Sequence, residues 1–113
     1  MAIRMFSPPA NLAMKVALKS TCRFKIGAVL AKGNHILSWG VNNERHAEVR
    51  CICNYQRLTG TLENTQLYVA RVSKQQKNIG MAKPCEQCQQ FIEMFHIQDV
   101  WYTTSYNQEW MRL

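Results

Sequence analysis

Apolar residues recur along this chain with a helical period in three places. Leu12 and Val16 lie four residues apart beside alanines, while Lys15 and Lys19 fall on the other side, so this stretch is predicted to form an amphipathic helix. Ser7-Pro8-Pro9 just before it is typical of a helix start. The periods predict helices over residues 11–20, 46–58 and 84–96.

Between these helices lie short apolar runs that are rich in β-formers and bounded by turn residues. The clearest is a hairpin, in which Gly33-Asn34 separates two such runs. The runs predict strands over residues 24–31, 35–41, 67–72 and 100–103, with a short return strand over 109–113. His35 opens the second strand, where it is interpreted as a surface residue.

Two apolar stripes are predicted on the later helices. Val49, Ile52 and Cys53 follow the i, i+3, i+4 spacing on the second helix, and Phe91 and Phe95 share a face of the third. Cys51 and Cys53 are interpreted as small core residues, because free cysteine behaves as a buried apolar group.

Length and composition bound the class of protein. With 113 residues, 47% of them hydrophobic and 19% charged, the chain is expected to fold as one globular domain over residues 1–113. No apolar run approaches the roughly 20 residues that span a bilayer. The apolar stretch at the N-terminus is too short for a secretory signal. A cytoplasmic protein is therefore expected. Five cysteines in that compartment indicate metal binding or free thiols rather than disulfides.

The formal net charge of +7 indicates attraction to polyanions such as nucleotide phosphates or nucleic acid. The 14 basic residues are scattered, however, and most of them fit an ordinary solvated surface equally well.

Cys85 and Cys88 form the strongest chemical signal in the chain. They follow Pro84, which suits the first turn of a helix, so the third helix is predicted to begin at Pro84 with both sulfurs in its first turn. The positive end of the helix dipole favours thiolate, the form that binds metal.

His46 supplies a third ligand, and Glu48 follows it by two residues. Three protein ligands leave an open position for water, which is typical of a catalytic rather than a structural zinc. Zinc lowers the pKa of its bound water to about 7, and Glu48 is placed to take the proton.

His46-Ala47-Glu48 followed by Pro84-Cys85-Glu86-Gln87-Cys88 resembles the signature of the zinc-dependent cytidine and deoxycytidylate deaminase superfamily. The resemblance implies one zinc per chain held by His46, Cys85 and Cys88, with Glu48 as general acid/base and not a ligand. Both halves of the signature occur together and in order, which makes the resemblance specific.

The resemblance also implies an α/β fold. It is a cytidine deaminase-like three-layer α-β-α sandwich with a mixed sheet, in the order αββαβαβ. About ten residues follow the fourth strand, so a short antiparallel fifth strand is expected, as in the smaller cytidine deaminases. This ending leaves a sheet edge to cover, which favours a homo-oligomer.

Three substrate contacts are carried over from the family by position. Asn42 would contact the sugar or base, the backbone N–H of Ala47 would hold the base carbonyl oxygen, and Tyr106 would stack on the base. Asn42 and Asn43 are equally well interpreted as turn residues. Tyr102 is expected to pack in the sheet.

The expected activity is deamination of a cytosine nucleoside or nucleotide to the uracil form, with release of ammonia. Single-stranded nucleic acid is the alternative substrate, supported by the positive charge. Polynucleotide cytosine editors typically carry a Ser-x-Ser type stretch where this chain has Met81-Ala82-Lys83, and tRNA adenosine enzymes have Glu in place of Lys83. Both departures favour the small substrate.

Two non-enzymatic alternatives stay open. In one, a structural zinc in a small binding module is held by Cys51, Cys53, Cys85 and Cys88, which leaves His46 and Glu48 without a role. In the other, the chain is a catalytically silent relative that binds nucleotide.

Overall fold

The computed structural model describes residues 2–3, 7–43, 46–56, 62–73, 79–104 and 110–113. The elements are β1 (Ala2–Ile3), α1 (Pro8–Ala17), β2 (Lys25–Lys32), β3 (His35–Val41), α2 (Ala47–Gln56), β4 (Gln66–Val72), β5 (Ile79–Gly80), α3 (Glu86–Glu93), β6 (Asp99–Thr103) and β7 (Trp110–Arg112). The predicted order αββαβαβ with a short final strand is confirmed, and two strands of two residues, β1 and β5, are added to it.

Local chemistry explains where the first helix and the hairpin begin. The Ser7 hydroxyl accepts a hydrogen bond from the backbone N–H of Ala10, which caps α1 as predicted. Gly33 takes a positive φ of 63° in the two-residue turn between β2 and β3, a conformation that costs glycine little. His35 is exposed at the start of β3, as predicted.

The sheet is mixed, as the sequence predicted. Its strand order is β1-β7-β6-β4-β2-β3, and β5 pairs with the end of β4. β4 and β6 are parallel, and α3 lies on the connection between them, whereas every other described pair is antiparallel. β7 returns antiparallel to β6, which confirms the expected short final strand.

Helices cover both faces of the sheet and make three layers. On one face, Ala28, Leu30, Leu67 and Val69 pack against α2 and α3. On the other face, their neighbours in the two central strands pack against α1. Burial on both faces explains why β2 and β4 are continuous apolar runs without alternation. Tyr102 is buried in β6, as expected.

The buried stripe of α2 differs from the prediction. Ile52 is fully buried, but Val49 and Cys53 are only half-buried, and the helix also buries Ala47 and Cys51. The first turn of α2 packs closely against Gly40, near the end of β3. Cys51 is a core residue, as predicted, and its sulfur lies 3.5 Å from the Ser38 hydroxyl oxygen.

Among the described residues, no helix is long and apolar enough to cross a membrane.

Gly40 on β3 has no side chain, which allows the backbone of α2 to lie close to β3. Replacing Gly40 with alanine therefore tests how α2 is positioned. A Cβ at Gly40 would lie 2.6 Å from the Cys51 backbone nitrogen and 3.0 Å from the Ala47 carbonyl oxygen. We expect Gly40→Ala to lower the free energy of unfolding by about 1–3 kcal/mol and to weaken zinc binding, because α2 must shift. Denaturant unfolding and zinc titration measure the two effects.

Gly27 provides the matched control. A Cβ there would lie 2.6 Å from the Ala13 carbonyl oxygen, so Gly27→Ala crowds α1 in the same way on the opposite face of the sheet. We expect a similar loss of stability with zinc affinity unchanged. Equal zinc affinity in the two variants would contradict the role given to Gly40.

Candidate functional site

The N-terminal ends of α2 and α3 bring three potential metal ligands together. His46 directly precedes α2, Cys85 is the N-cap of α3, and Cys88 is the third residue of α3. Cys85 has an extended backbone (φ −68°, ψ 166°), so the prediction that the helix begins at Pro84 was wrong by two residues. The first-turn placement of Cys88 holds, and both helix dipoles direct their positive ends at the cluster.

The three potential ligand atoms are close enough together to share one metal ion. His46 Nδ1 lies 3.0 Å from Cys88 Sγ and 3.9 Å from Cys85 Sγ, and the three atoms all lie within 4.8 Å of one another. Zn–S bonds of about 2.3 Å and Zn–N bonds of about 2.0 Å in a tetrahedron place such atoms roughly 3.5–3.8 Å apart. The three residues are therefore positioned to hold one metal ion, as the sequence predicted.

Burial is the largest cause of the raised pKa of the Cys88 thiol. The side chain is 3% exposed, and this burial raises the pKa of its thiol to about 12, with Glu48 and Cys85 acting in the same direction. Since zinc binds thiolate, metal binding at Cys88 has to displace a proton.

Glu48, in the first turn of α2, lies beside the ligands without joining them. The cluster of potential ligands among the described residues consists of His46, Cys85 and Cys88 alone. Glu48 is 5% exposed, and burial raises its pKa, while its backbone hydrogen bond, His46 and the Cys88 thiol oppose that shift. A buried carboxyl with a raised pKa is suited to exchanging protons near neutral pH.

A cleft of about 200 Å³ opens onto these groups. It brings together five of the residues singled out from the sequence, because Asn42 and Ala47 line it with His46, Glu48 and Cys85. The full lining is Ile26, Asn42, His46, Ala47, Glu48, Met81, Ala82, Lys83 and Cys85. Tyr106 lies outside the described residues.

Asn42 braces the wall of the cleft. Its side-chain oxygen accepts a hydrogen bond from the Ile26 N–H at 3.0 Å, and its amide nitrogen donates to the Phe24 carbonyl at 2.7 Å. The side chain therefore fixes the start of β2 as well as lining the cleft. This brace supports the interpretation of Asn42 as a turn residue, and its contact with substrate stays a prediction.

A second brace on the same loop was missed from the sequence. Asn43 Oδ1 accepts from the N–H and the hydroxyl of Thr21, and the Cys22 thiol donates to the Asn42 carbonyl at 2.7 Å. These bonds tie the segment before His46 to the segment before β2. The sequence signal for this brace was the pair of consecutive asparagines in a loop, but that signal does not indicate which residues they bind.

The structure does not support the four-cysteine zinc site. Cys51 is fully buried against Ser38, and neither Cys51 nor Cys53 belongs to the described metal-competent cluster. The imidazole of His46, and not Cys51 or Cys53, lies beside the sulfurs of Cys85 and Cys88.

Comparisons with known proteins agree with this site. The family model described as "Cytidine and deoxycytidylate deaminase zinc-binding region" matches residues 6–104, which contain all three ligands and Glu48. Comparison with curated proteins gives no match.

Among solved structures, the dCMP deaminase from the cyanophage S-TIM5 is similar in fold, with a TM-score of 0.69 at 19% identity over 88% of this chain and 82% of that one. RibD from Acinetobacter baumannii is similar in two crystal forms, each with a TM-score of 0.61, at 16% and 18% identity over 84% and 85% of this chain. This chain covers 27% of RibD. At these identities the likeness establishes the fold, including the three-layer arrangement predicted from the sequence.

Proposed function

This chain belongs to the cytidine and deoxycytidylate deaminase family, and from that premise we propose that it catalyses hydrolytic deamination of a cytosine nucleoside or nucleotide. One observation carries the proposal: His46, Cys85 and Cys88 are close enough together to hold one metal ion, and two of them, His46 and Cys85, line the same cleft as the buried carboxyl of Glu48. The products would be the uracil form and ammonia.

The proposed roles divide between holding the metal and moving protons. His46, Cys85 and Cys88 would hold the zinc, whose Lewis acidity makes water nucleophilic at neutral pH. Glu48 would accept one proton from the attacking water and deliver it to the ring nitrogen of cytosine. It would then carry the second proton, from the new hydroxyl on C4, to the departing amine as the C4 carbonyl forms. Water thus supplies the oxygen that replaces the amine at C4, and ammonia leaves.

The substrate base would be held by backbone at the start of α2. Ala47 is the first residue of α2, and the first N–H groups of a helix have no partner within it. The Ala47 N–H is therefore suited to donate to the carbonyl oxygen of the base. We propose further contacts from Asn42 and Tyr106 to the substrate.

The size of the cleft favours a single base as the buried part of the substrate. Its volume of about 200 Å³ lies below the roughly 300–1,000 Å³ of pockets that enclose drug-sized ligands. A pyrimidine ring fits inside it, and we propose that the sugar with any phosphate lies towards its mouth. Phe24 and Met81, both exposed, and the net charge of +7 keep single-stranded nucleic acid as the second candidate substrate.

We also propose that the chain acts as a single domain and assembles as a homo-oligomer. β3 lies at one edge of the sheet and exposes Trp39, and such an edge is commonly covered by a neighbouring chain.

A substrate panel tests the proposed activity. Zinc-loaded protein is incubated with cytidine, dCMP and a cytosine-containing oligonucleotide, and the uracil-containing product (uridine, dUMP or oligonucleotide) and ammonia are both measured. We expect equal amounts of the two products from the nucleoside or the nucleotide. Conversion of the oligonucleotide alone would favour the alternative substrate, and zinc-loaded protein that converts none of the three would favour a non-enzymatic binding module.

A further inference from the structure

Arg71, near the end of β4, is a neighbour of residues that line the cleft. Side chains alternate along β4, so Arg71 projects on the same face as Leu67 and Val69, which is the face covered by α2 and α3. Its pairing partner on β2 is Ile26, whose side chain lines the cleft. Directly opposed residues in antiparallel strands have Cβ atoms about 5 Å apart, so the arginine stem starts next to the cleft wall.

Phe24 holds the guanidinium in place. The guanidinium carbon of Arg71 lies 4.2 Å from the centroid of the Phe24 ring, and that of Arg23 lies 5.5 Å from it. Both distances are within the range of cation–π attraction. The ring is 52% exposed, and its backbone carbonyl is fixed by Asn42. The aromatic support of Arg71 is thus tied to a residue that lines the cleft.

The backbone around Arg71 is also fixed. The Arg71 N–H donates to the Thr103 hydroxyl, which in turn donates to the Gly80 carbonyl. A Cβ on Gly80 would lie 2.9 Å from Arg71 Cδ, so the absence of a side chain at Gly80 leaves room for the course of the arginine. Met81, which follows Gly80, lines the cleft. Arg71 therefore sits between two strands that both lead to the site.

Arg23, Arg71 and Lys83 form no salt bridge with a carboxylate in the described part of the chain. The described residues contain an ion pair between Arg112 and Asp99, which does not involve any of these three basic residues. A guanidinium presents five N–H donors in a planar fork that matches phosphate oxygens. An arginine that stacks on Phe24 next to the cleft wall, and that has no carboxylate partner among the described residues, is suited to bind the phosphate of a nucleotide.

We propose that Arg71, stacked on Phe24, binds the phosphate of a cytosine nucleoside monophosphate and makes the chain select nucleotides over nucleosides. This inference rests on the proposed function for the identity of the base. Lys83, which lines the cleft, and Arg23, which lies near the same Phe24 ring, add positive charge. Phe24 positions Arg71 and does not itself need to contact the substrate.

Equilibrium binding of the product pair tests the inference without turnover. Calorimetry on the zinc-loaded full chain compares dUMP with deoxyuridine, and we expect dUMP to bind at least about tenfold more tightly, as a charge-assisted phosphate contact provides. Arg71→Gln is expected to remove this preference and to leave deoxyuridine binding unchanged. Lys32→Gln removes the same charge at the exposed far end of β2 and is expected to keep the preference.

Two further variants keep the test decisive if Arg71→Gln folds poorly. Arg71→Lys keeps the charge but loses the planar fork, and Phe24→Leu keeps the charge but loses the ring. We expect both to weaken dUMP binding and neither to weaken deoxyuridine binding. A wild-type chain without preference for dUMP, or variants that weaken both ligands equally, would overturn the inference.

The outcomes also separate this inference from the proposed function. An Arg71-dependent preference for dUMP in a chain that deaminates nothing would support the phosphate site and overturn the activity. Deamination of cytidine and dCMP with equal kcat/KM and without phosphate preference would support the proposed activity and overturn the phosphate site. An oligonucleotide bound at least about tenfold more tightly than dCMP would overturn the monophosphate assignment.

Discussion

Replacing Glu48 with glutamine is expected to lower kcat by about 10²–10⁴-fold, while the chain keeps its fold and its zinc. Glutamine has the size and shape of glutamate, so the buried position beside Cys88 stays filled, and it carries no charge that burial would penalise. An amide cannot accept the proton of the attacking water or return it to the leaving amine. The measurement is ammonia release under saturating substrate, with zinc content determined on the same sample.

Glu93→Gln is the matched control for this substitution. Glu93 is an exposed glutamate at the end of α3 and does not line the cleft, so the same chemical change there should leave kcat unchanged. If Glu48→Gln binds one zinc and releases ammonia at the wild-type rate, Glu48 is not the proton shuttle. If the variant loses its zinc, the carboxylate belongs to the ligand set and the geometric assignment is wrong.

The ligand set could be predicted from the sequence because its chemistry is local. Cys85 and Cys88 are three positions apart, which places both sulfurs near one helix N-terminus, and the His46 to Glu48 spacing does the same for the other helix. The structure brings His46 Nδ1 within 3.0 Å of Cys88 Sγ, although 42 residues separate them. The family signature supplied that long-range pairing, and spacing alone did not.

Elements of two residues could not be predicted, because two positions define no period. β1 and β5 are of this kind, and both are defined by their partners β7 and β4. The start of α3 was misplaced for a related reason. Proline fits the first helical turn, but it fits an extended residue before the cap equally well, and the extended backbone of Cys85 decides between them.

The contacts of Phe24, Arg71 and Asn42 near the cleft could not be predicted from the sequence either. Phe24 and Arg71 are far apart in the chain and meet only because Ile26 and Arg71 are opposed in the β2–β4 register. Asn42 was recognised as a loop residue, but its bonds to Ile26 and Phe24 depend on how closely the loop approaches β2. Substrate selection is set by such contacts, so the sequence predicts the chemistry of the centre more firmly than the substrate.

Removing any one ligand is expected to remove the metal and with it the activity. In His46→Ala, Cys85→Ala and Cys88→Ala, two protein ligands remain, and a tetrahedral zinc site with one position open for water requires three. We expect zinc to fall from one per chain to a small fraction of that, with ammonia release falling in proportion. Zinc content by atomic emission after dialysis, together with the rate, measures both.

Stability provides an independent check on the same variants. Free zinc at about 100 times its dissociation constant stabilises a folded chain by about 2.7 kcal/mol, so chelation should lower the free energy of unfolding of the wild type by an amount of this order. In Cys88→Ala the chelator should have no effect, because no bound metal is left to remove. Cys53→Ala, which changes a half-buried cysteine of α2 outside the cluster, should keep the zinc and the chelator effect. Loss of zinc from Cys53→Ala, or its retention in Cys88→Ala, would show that the metal is held by a different set of atoms.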